Sequence, residues 1–290
     1  RAQAVAPTSQ VAPRTPADAK LRGLYGGYAA WNAKESGVFE NARGETKPTD
    51  YLPRVDAATQ LRQAAHLKEL LDQVNAIPTS QLSPDERVNG AVFRTILENG
   101  IADARFREWE MPFNSDSSFW TYLDERGSLE DPAEYRRYIA RMRDIPRYFD
   151  EEIVNMKAGL KRGFSVPRAT LNGRDASVAA FIADDPTKTS FYKPFEQMPS
   201  TIPAAEQQAL RAEGKTAIQQ SVMPAYRKLL DFIRKEYLPK ARATVSARDL
   251  PDGDAYYRAN IREYTTTDLS PEEIHQLGLS EVARIRAEME

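Results

Sequence analysis

The stretch DPAEYRRYIARMRDIPRYFDEEIVNMKAGLKRG, residues 131–163, decides the fold class of this chain. It opens with an aspartate that can accept from free helix amides, and a proline follows at the first helical position, where no backbone N–H is needed. Apolar residues then recur at helical spacing, namely Tyr135, Tyr138, Ile139 and Met142. The pattern predicts a helix after Asp131 and another, over IPRYFDEEIVNMKAGLKRG, that ends at Gly163.

The same type of helix start recurs elsewhere in the chain. SPDE at 83–86 and SPEE at 270–273 each place a capping oxygen before a proline and an acid three residues after the cap. Evidence for strands is limited to short runs such as SVAAF, residues 177–181. We therefore predict a mainly α fold, an irregular array of several helices with long loops and little or no sheet.

Composition excludes several classes of function. Lys and Arg number 40 and Asp and Glu 42, a net charge of -2, so we expect no nucleic-acid partner. The longest apolar runs are far shorter than the roughly 20 residues that cross a bilayer, so no membrane span is predicted. The chain has no cysteine, which excludes thiol catalysis, disulfides and thiolate metal sites.

The two ends of the sequence carry separate expectations. Residues 1–19 are rich in Ala, Pro, Ser and Thr without apolar periodicity, which is typical of a disordered leader left after removal of an export signal. We therefore expect an exported protein of the periplasm or cell envelope, with a helical region over residues 20–290. From Ser270 the apolar positions follow one helical face to the last residue without a stop signal, so we expect part of a longer protein.

Two irregular stretches interrupt the helical pattern. MPFNSDSSFWTYLDERGS, residues 111–128, and the longer stretch over residues 165–203 contain aromatics, Pro, Gly and Asn without a clear period. Long loops in compact domains are often binding loops or lids, although packed surface loops have the same composition. Both interpretations stay open from the sequence alone.

Histidine is too sparse for a familiar metal site. Glu272-x-x-His275 matches half of a di-metal bundle motif, but the second copy is missing because Gln63 stands three residues before His66. A zinc-peptidase helix needs two histidines four residues apart with a glutamate between them, and neither histidine has such a partner. We interpret Glu272 as part of a helix start and His275 as a surface residue, and we predict no catalytic residue and no metal ligand in this segment.

Two further short matches resemble catalytic motifs. Ser190 and Lys193 have the S-x-x-K spacing of serine acyl-enzymes, but Pro194 follows at once and the partner motifs are absent. The acyl-enzyme is kept as an alternative that an active-site-directed acylating probe would test. GKT at 214–216 resembles the end of a phosphate-binding loop, but Ala209 replaces its first glycine, and a junction between helices is predicted instead.

From Asp131 to its end the chain resembles a known family. DPAEYRRYIARMRDIPRYFDEEIVNMKAGLKRGFSVPRATL, SFYKPFEQMPSTI and YYRANIREYTTTDLSPEEIHQLGLSEVARIRAEM resemble, in this order, the N-terminal half of the bacterial "domain of unknown function 885" proteins. Members are mostly exported, largely helical proteins, regarded as relatives of the gluzincin zinc peptidases. In that family the zinc-binding H-E-x-x-H helix lies in the C-terminal half.

The resemblance implies a role for this segment. It would form one wall of a helical channel, as the scaffold and substrate-lining part of a zinc-dependent peptidase-like protein. Its partners would be a peptide substrate and the C-terminal half of its own chain, which would supply zinc in the full-length protein. This segment alone would then be inactive. The alternative is a non-enzymatic helical binding or scaffold module of the cell envelope.

The phrase YYRANIREY, residues 256–264, supplies the candidate substrate-binding residues. With the resemblance, its aromatic and basic composition predicts that Tyr256, Tyr257 and Arg258 border the channel. A phenol could donate to a peptide carbonyl, and a guanidinium could hold a substrate carboxylate through two hydrogen bonds. The alternative is that the tyrosines are core residues and the arginines a solvated face.

Overall fold

The computed structural model describes residues 12–290, which divide into two compact units that meet between Ala243 and Thr244 in sequence. The N-terminal unit contains α1 (Pro16–Glu35), α2 (Ala57–Asn75), α3 (Pro84–Phe106), α4 (Pro132–Arg162), α5 (Arg174–Ala179), α6 (Lys193–Glu196), α7 (Ala204–Ala217), α8 (Met223–Phe232) and α9 (Leu238–Lys240). The C-terminal unit contains α10 (Gly253–Thr265) and α11 (Pro271–Met289). The predicted mainly α, irregular fold is confirmed, and the wall of a channel stays a prediction. Within residues 12–290 no helix is long and apolar enough to cross a membrane.

The sheet content is one small hairpin. Strands β1 (Val38–Glu40) and β2 (Thr46–Pro48) pair antiparallel, with Phe39 opposite Lys47, and they form the only sheet in the described part of the chain. The SVAAF run that hinted at a strand lies in α5 and the turn after it. Its alternation is too short to specify a strand, and α5 instead places the fully buried Val178 in the core.

Helix α4 runs unbroken from Pro132 to Arg162, so the two helices predicted for this stretch are one. Pro146 lies inside it and removes a backbone hydrogen bond, which normally disrupts a helix. The flanking Ile145 and Phe149 are buried in the core, so tertiary packing offsets that loss. Gly163 ends α4 with a φ of 79°, as predicted, because glycine adopts this left-handed conformation at little cost.

Residues 204–240 form one long helical run in which two π-helical turns, Ile218–Val222 and Ile233–Tyr237, join α7, α8 and α9. Pro224 and Pro239 are each the second residue after one of these turns. A proline ring clashes with the carbonyl four residues earlier, and a π turn relieves that clash because its hydrogen bonds reach five residues back. The GKT match at 214–216 lies inside this run, so it is neither a phosphate loop nor the predicted helix junction.

Two hydrophobic clusters hold the N-terminal unit together. The larger one surrounds α4, which buries a stripe of side chains along its whole length against the 204–240 run and the irregular stretches. The smaller one packs α1, α2 and α3 around Leu21, Phe93 and Leu97, none of which is exposed. Burial of apolar side chains is the main stabilising contribution in both clusters.

Helix α1 begins at Pro16, inside the predicted leader of residues 1–19. Thr15 caps it in a reciprocal capping box with Asp18, and Asp18 also accepts from the Ser83 amide at 2.9 Å. Although burial raises the pKa of Asp18, hydrogen bonds from Ser83, Arg14 and Thr15 lower it to about 2. The prediction of disorder is therefore wrong for residues 16–19, and residues 1–11 lie outside the described part of the chain.

Two of the three predicted caps form, and the third does not. The Asp131 side chain accepts from the Glu134 amide, and Ser270 forms a capping box with Glu273. Ser83 precedes α3, but its side chain makes no capping hydrogen bond. The acid three residues later, Glu86, is fully buried and accepts from Arg22 Nε at 2.8 Å. Pairing between α1 and α3 has replaced the local cap.

The C-terminal unit contains one helix with an exposed apolar face. Ile261 of α10 is buried, whereas α11 buries none of its residues. Large apolar side chains of α11 are exposed, namely Leu277, Leu279, Val282, Ile285 and Met289. The helical stripe predicted from Ser270 onward is thus present, and it faces solvent.

Candidate functional site

The irregular stretches over residues 111–128 and 165–203 meet in the N-terminal unit and enclose a cleft of about 960 Å³. Residues 124–129 form one wall, and residues from 180–181 and 190–199 form the other. Tyr135 of α4 lines the cleft between them. Cavities of this size are typical of ligand sites, and the loops thus have the geometry of binding loops.

Helix α4 positions both walls through two buried tyrosines. The Tyr138 hydroxyl accepts from the Glu125 amide at 3.3 Å and donates to the Phe191 carbonyl at 3.0 Å. The Tyr135 hydroxyl donates to the Pro194 carbonyl at 2.8 Å. Both rings lie within about 6 Å of the Phe195 ring, centroid to centroid, so the second wall is held by packing as well as hydrogen bonds.

Hydrogen bonds also join the two stretches directly. Trp120 Nε1 donates to Ser177 Oγ at 3.1 Å, and Arg174 donates to the Ser117 carbonyl at 3.1 Å. Trp120 is fully buried, and its carbonyl accepts from the Tyr226 hydroxyl at 2.6 Å. The cleft is therefore built on a rigid frame rather than on free loops.

Charged, polar and apolar groups alternate around the cleft. Its charged residues are Asp124, Glu125, Arg126 and Lys193, and its apolar residues include Leu129, Phe181, Met198 and Pro199. Asp124 Oδ1 and Ser190 Oγ are buried and have no hydrogen-bond partner in the described part of the chain. Asp124 Oδ1 forms an ion pair with Arg126, whose Nε lies 3.6 Å away, beyond hydrogen-bond distance. Buried acceptors without donors are uncommon, and a ligand N–H would satisfy either oxygen once its side chain turns into the cleft.

Ser190 and Lys193, the acyl-enzyme alternative, both line this cleft. The 3-10 turn Ser190–Tyr192 runs directly into α6, so the two side chains lie about one turn apart. However, Ser190 Oγ has no hydrogen-bond partner among residues 12–290, Lys193 included. An activated serine requires a hydrogen bond to its base, so the geometry does not provide that catalytic pair.

A second, smaller cavity of about 210 Å³ lies on the other side of residues 125–129. Its lining includes Glu134, Arg137, Tyr138 and Arg141, which share one face of α4, and Lys47 of β2 reaches it from the hairpin. Glu125 lines both this cavity and the cleft. We call this second cavity the basic pocket.

The predicted substrate-binding residues lie in α10 of the C-terminal unit. Tyr257 and Arg258 both line a depression of about 420 Å³ that also includes Arg248, Asp254 and Pro271. Arg248 Nε pairs with Asp254 at 2.8 Å, whereas Arg258 has no hydrogen bond or ion pair to any described residue. Tyr257 is 46% exposed, so it is not the core residue of the alternative interpretation. Tyr256 does not line the depression and is half-buried.

The described residues do not form a site that fits zinc. No group of three or more His, Cys, Asp or Glu side chains in residues 12–290 is placed to hold a metal ion. His66 packs its ring on Trp31, with centroids 4.5 Å apart, and His275 is exposed on α11. Glu272 accepts from Gln276 Nε2 at 2.8 Å within the helix. Glu272-x-x-His275 is thus part of a helix start.

Apart from Lys193, the sequence did not single out the charged residues of the two cavities. Arg137 and Arg141 follow the i, i+4 spacing of one helix face, which was a usable signal for a basic surface. The positions of Lys47, Asp124 and Glu125 depend on how the hairpin and the first irregular stretch fold over α4. These positions are determined by tertiary packing, which no local sequence pattern reveals.

Sequence and structure comparisons identify relatives of this chain. A family model described as "Bacterial protein of unknown function (DUF885)" matches residues 32–290. The match begins well before Asp131, the first residue of the stretches quoted above for the resemblance. No curated protein matches the chain in sequence.

The fold is shared with solved structures. One of them is described as "the putative lipoprotein from Colwellia psychrerythraea", with a TM-score of 0.73 at 19% sequence identity. The similarity covers 95% of this chain and 48% of that one, so the chain spans about half the length of the solved structure.

Proposed function

Because this chain belongs to the bacterial DUF885 family, we propose that it is the substrate-binding part of an exported, peptidase-like protein. The resemblance of the family to gluzincin peptidases supports a peptide as the ligand. Zinc and the groups that would act on the peptide bond belong, in this proposal, to a further part of the protein. In this proposal the described residues contribute binding and scaffold.

The observation that carries the proposal is the cleft with two buried side-chain oxygens that have no hydrogen-bond partner among the described residues. Peptide N–H groups are donors that Asp124 Oδ1 and Ser190 Oγ could accept from. Arg126 and Lys193 offer positive charge to a peptide carboxylate, while Phe181 and Met198 offer apolar contacts to side chains. An extended peptide is the ligand class that uses all of these features together.

Peptide binding to the chain tests the proposal directly. A pool of N-terminally dansylated tetrapeptides with free carboxylates is titrated with protein, and fluorescence anisotropy is measured. Asp124→Ala and Ser190→Ala are expected to weaken binding about tenfold each, because each removes one buried acceptor. Asp116→Ala, an exposed aspartate of the same irregular stretch, is the matched control and should bind like wild type. Absence of binding, or equal binding by all four proteins, would overturn the proposal.

The exposed face of α11 supports the proposed partner, a further part of the same protein. Its apolar stripe from Leu277 to Met289 faces solvent, and exposed apolar patches of this kind are usual at interaction sites. The related solved structure is about twice the length of this chain, which is the size that an additional half would give. We infer that this half packs on α11.

An exported location in the periplasm or cell envelope is part of the same proposal. It rests on the composition of residues 1–19 and on the description of the solved relative as a lipoprotein. Fractionation of cells that express the complete gene tests it, since recovery of the protein in the cytoplasm alone would contradict export.

A non-enzymatic binding module of the cell envelope is the second candidate. It is favoured by the lack of a hydrogen-bonded nucleophile and base in the cleft, where Ser190 Oγ has no partner in the described chain. Mass spectrometry of tetrapeptides incubated with the complete protein separates the two functions. Cleaved products support the peptidase, and bound but intact peptides support the binding module.

A further inference from the structure

Arg141 lines the basic pocket without a partner. Its guanidinium is partly buried and has no hydrogen bond and no ion pair with any residue in 12–290. Burial lowers the pKa of Arg141, and the neighbouring Glu125 offsets only part of that effect. A guanidinium carries five N–H donors, and withdrawing it from water without an acceptor is unfavourable.

The other two cations of the pocket already have partners. Lys47 Nζ lies 3.2 Å from Glu134 and 3.6 Å from Glu45. Arg137 lies 4.0 Å from the same Glu134, and its guanidinium covers the Phe39 ring at 5.3 Å. Glu134 is therefore shared between two cations and is not available to Arg141.

The remaining carboxylate does not neutralise Arg141 either. Glu125 Oε1 accepts from the Gly127 amide at 2.8 Å, and it forms no ion pair in the described chain. The lining therefore holds three cations and two carboxylates, with the excess positive charge at Arg141. This arrangement differs from the rest of α4, where Arg136, Arg143 and Arg147 each pair with a carboxylate.

We propose that the basic pocket binds a small oxyanion, a carboxylate or a phosphate, through Arg141. The planar guanidinium matches the two oxygens of such a group. A cavity of about 210 Å³ has room for roughly seven waters, so the group that enters is small. The oxyanion comes either from a free small anion or from the terminal carboxylate of a peptide. Such an anion binds by charge whether or not the cleft holds a peptide.

A bound anion is expected to affect the wall that the basic pocket shares with the cleft. Residues 125 and 127–129 line both the basic pocket and the cleft. An anion at Arg141 would lie between α4 and the shared wall and bridge them, although Glu125 in that wall repels it. Occupancy of the pocket is therefore expected to slow backbone hydrogen exchange in residues 125–129.

The test is titration of the chain by isothermal calorimetry with inorganic phosphate, with acetate, and with the dipeptide Ala-Ala or its C-terminal amide. Arg141→Met should weaken anion binding about tenfold or more, whereas Arg143→Met, an exposed arginine on the same helix, should leave it unchanged. Glu125→Gln should tighten binding, a gain that misfolding would not produce.

Phosphate or acetate binding identifies a free anion, and binding of Ala-Ala alone, lost on amidation, identifies a terminal carboxylate. No binding by any probe at millimolar concentration, or equal binding by wild type and Arg141→Met, would overturn the proposal.

Discussion

The Tyr138 hydroxyl joins the two walls of the cleft, because it donates to the Phe191 carbonyl at 3.0 Å while it accepts from the Glu125 amide at 3.3 Å. Phe191 is fully buried, so no water can replace the lost donor. A single side chain of α4 thus determines the relative position of two segments that are 66 residues apart in sequence, from Glu125 to Phe191.

Tyr138→Phe tests this relationship. Loss of the hydroxyl leaves a buried carbonyl and an amide without partners, and we expect a loss of about 1–3 kcal/mol in the free energy of unfolding. Urea denaturation measures it. Tyr192→Phe is the control, because its hydroxyl has no hydrogen-bond partner in the described chain while its ring also stacks on Phe195. Equal stability of both variants would show that the hydroxyl of Tyr138 does not hold the walls.

The buried Glu152 is expected to make stability depend on pH. Burial raises the pKa of Glu152 to about 8, while hydrogen bonds from Asn155 and Tyr148 lower it in part, and the repulsion of Glu151 raises it again. The folded protein thus prefers the protonated carboxyl. The contribution of protonated Glu152 to the free energy of unfolding is fully present below the unfolded pKa of about 4.5. It is lost as pH rises through the folded pKa of about 8.

Glu152→Gln should remove this dependence. At about 1.4 kcal/mol per unit of pKa difference, the wild type loses several kcal/mol of stability on going from acid to alkaline pH, and the amide loses none at this site. The free energy of unfolding is measured for both proteins at about pH 5 and about pH 9. The same change with pH in both proteins would mean that Glu152 is not held protonated.

Ser270→Ala tests the cap of α11. The Ser270 hydroxyl accepts from the Glu273 amide, and we expect its loss to cost about 0.5–2 kcal/mol. Because α11 buries no residue, hydrogen exchange of its first-turn amides is the suitable measurement. Ser280→Ala, in the middle of the same helix, is the control and should leave those amides unchanged. Unaltered exchange in Ser270→Ala would show that the capping box does not stabilise the helix.

Arg258→Ala tests the substrate-binding role that the sequence predicts for Arg258, which lies in a depression separate from the cleft. Since Arg258 is exposed and has no partner in residues 12–290, its removal should leave the melting temperature nearly unchanged. Binding of short peptides with free carboxylates should weaken, and binding of their amides should not. Arg286→Ala, an exposed arginine of α11, is the control. Loss of stability in Arg258→Ala would instead assign a structural role to Arg258, and unchanged peptide binding would remove it from the site.

The sequence predicts helices well here because their starts are encoded locally. Asp131 and Ser270 cap as expected, and Gly163 ends α4, since each depends on neighbours within one turn. The capping box expected at Ser83 is absent because Asp18, 65 residues away, accepts from the Ser83 amide, and Glu86 pairs with Arg22 instead. The same limit applies to the two cavities. The loops of the cleft are visible as aperiodic stretches in the sequence. That Asp124 and Ser190 line one cavity, and Lys47 and Arg141 the other, depends on long-range packing that local patterns do not contain.

The two π turns of the 204–240 run change how this part of the chain aligns with its relatives. Ala217 and Val222, five residues apart across the first turn, are both buried, and so are Phe232 and Tyr237 across the second. Each turn thus amounts to an insertion of one residue into the helix. The helices before and after the turn still bury the same face. Homologues that lack Pro224 or Pro239 are expected to show a single-residue gap at the corresponding turn, and gap-free alignments through this helix would pair core positions with surface ones.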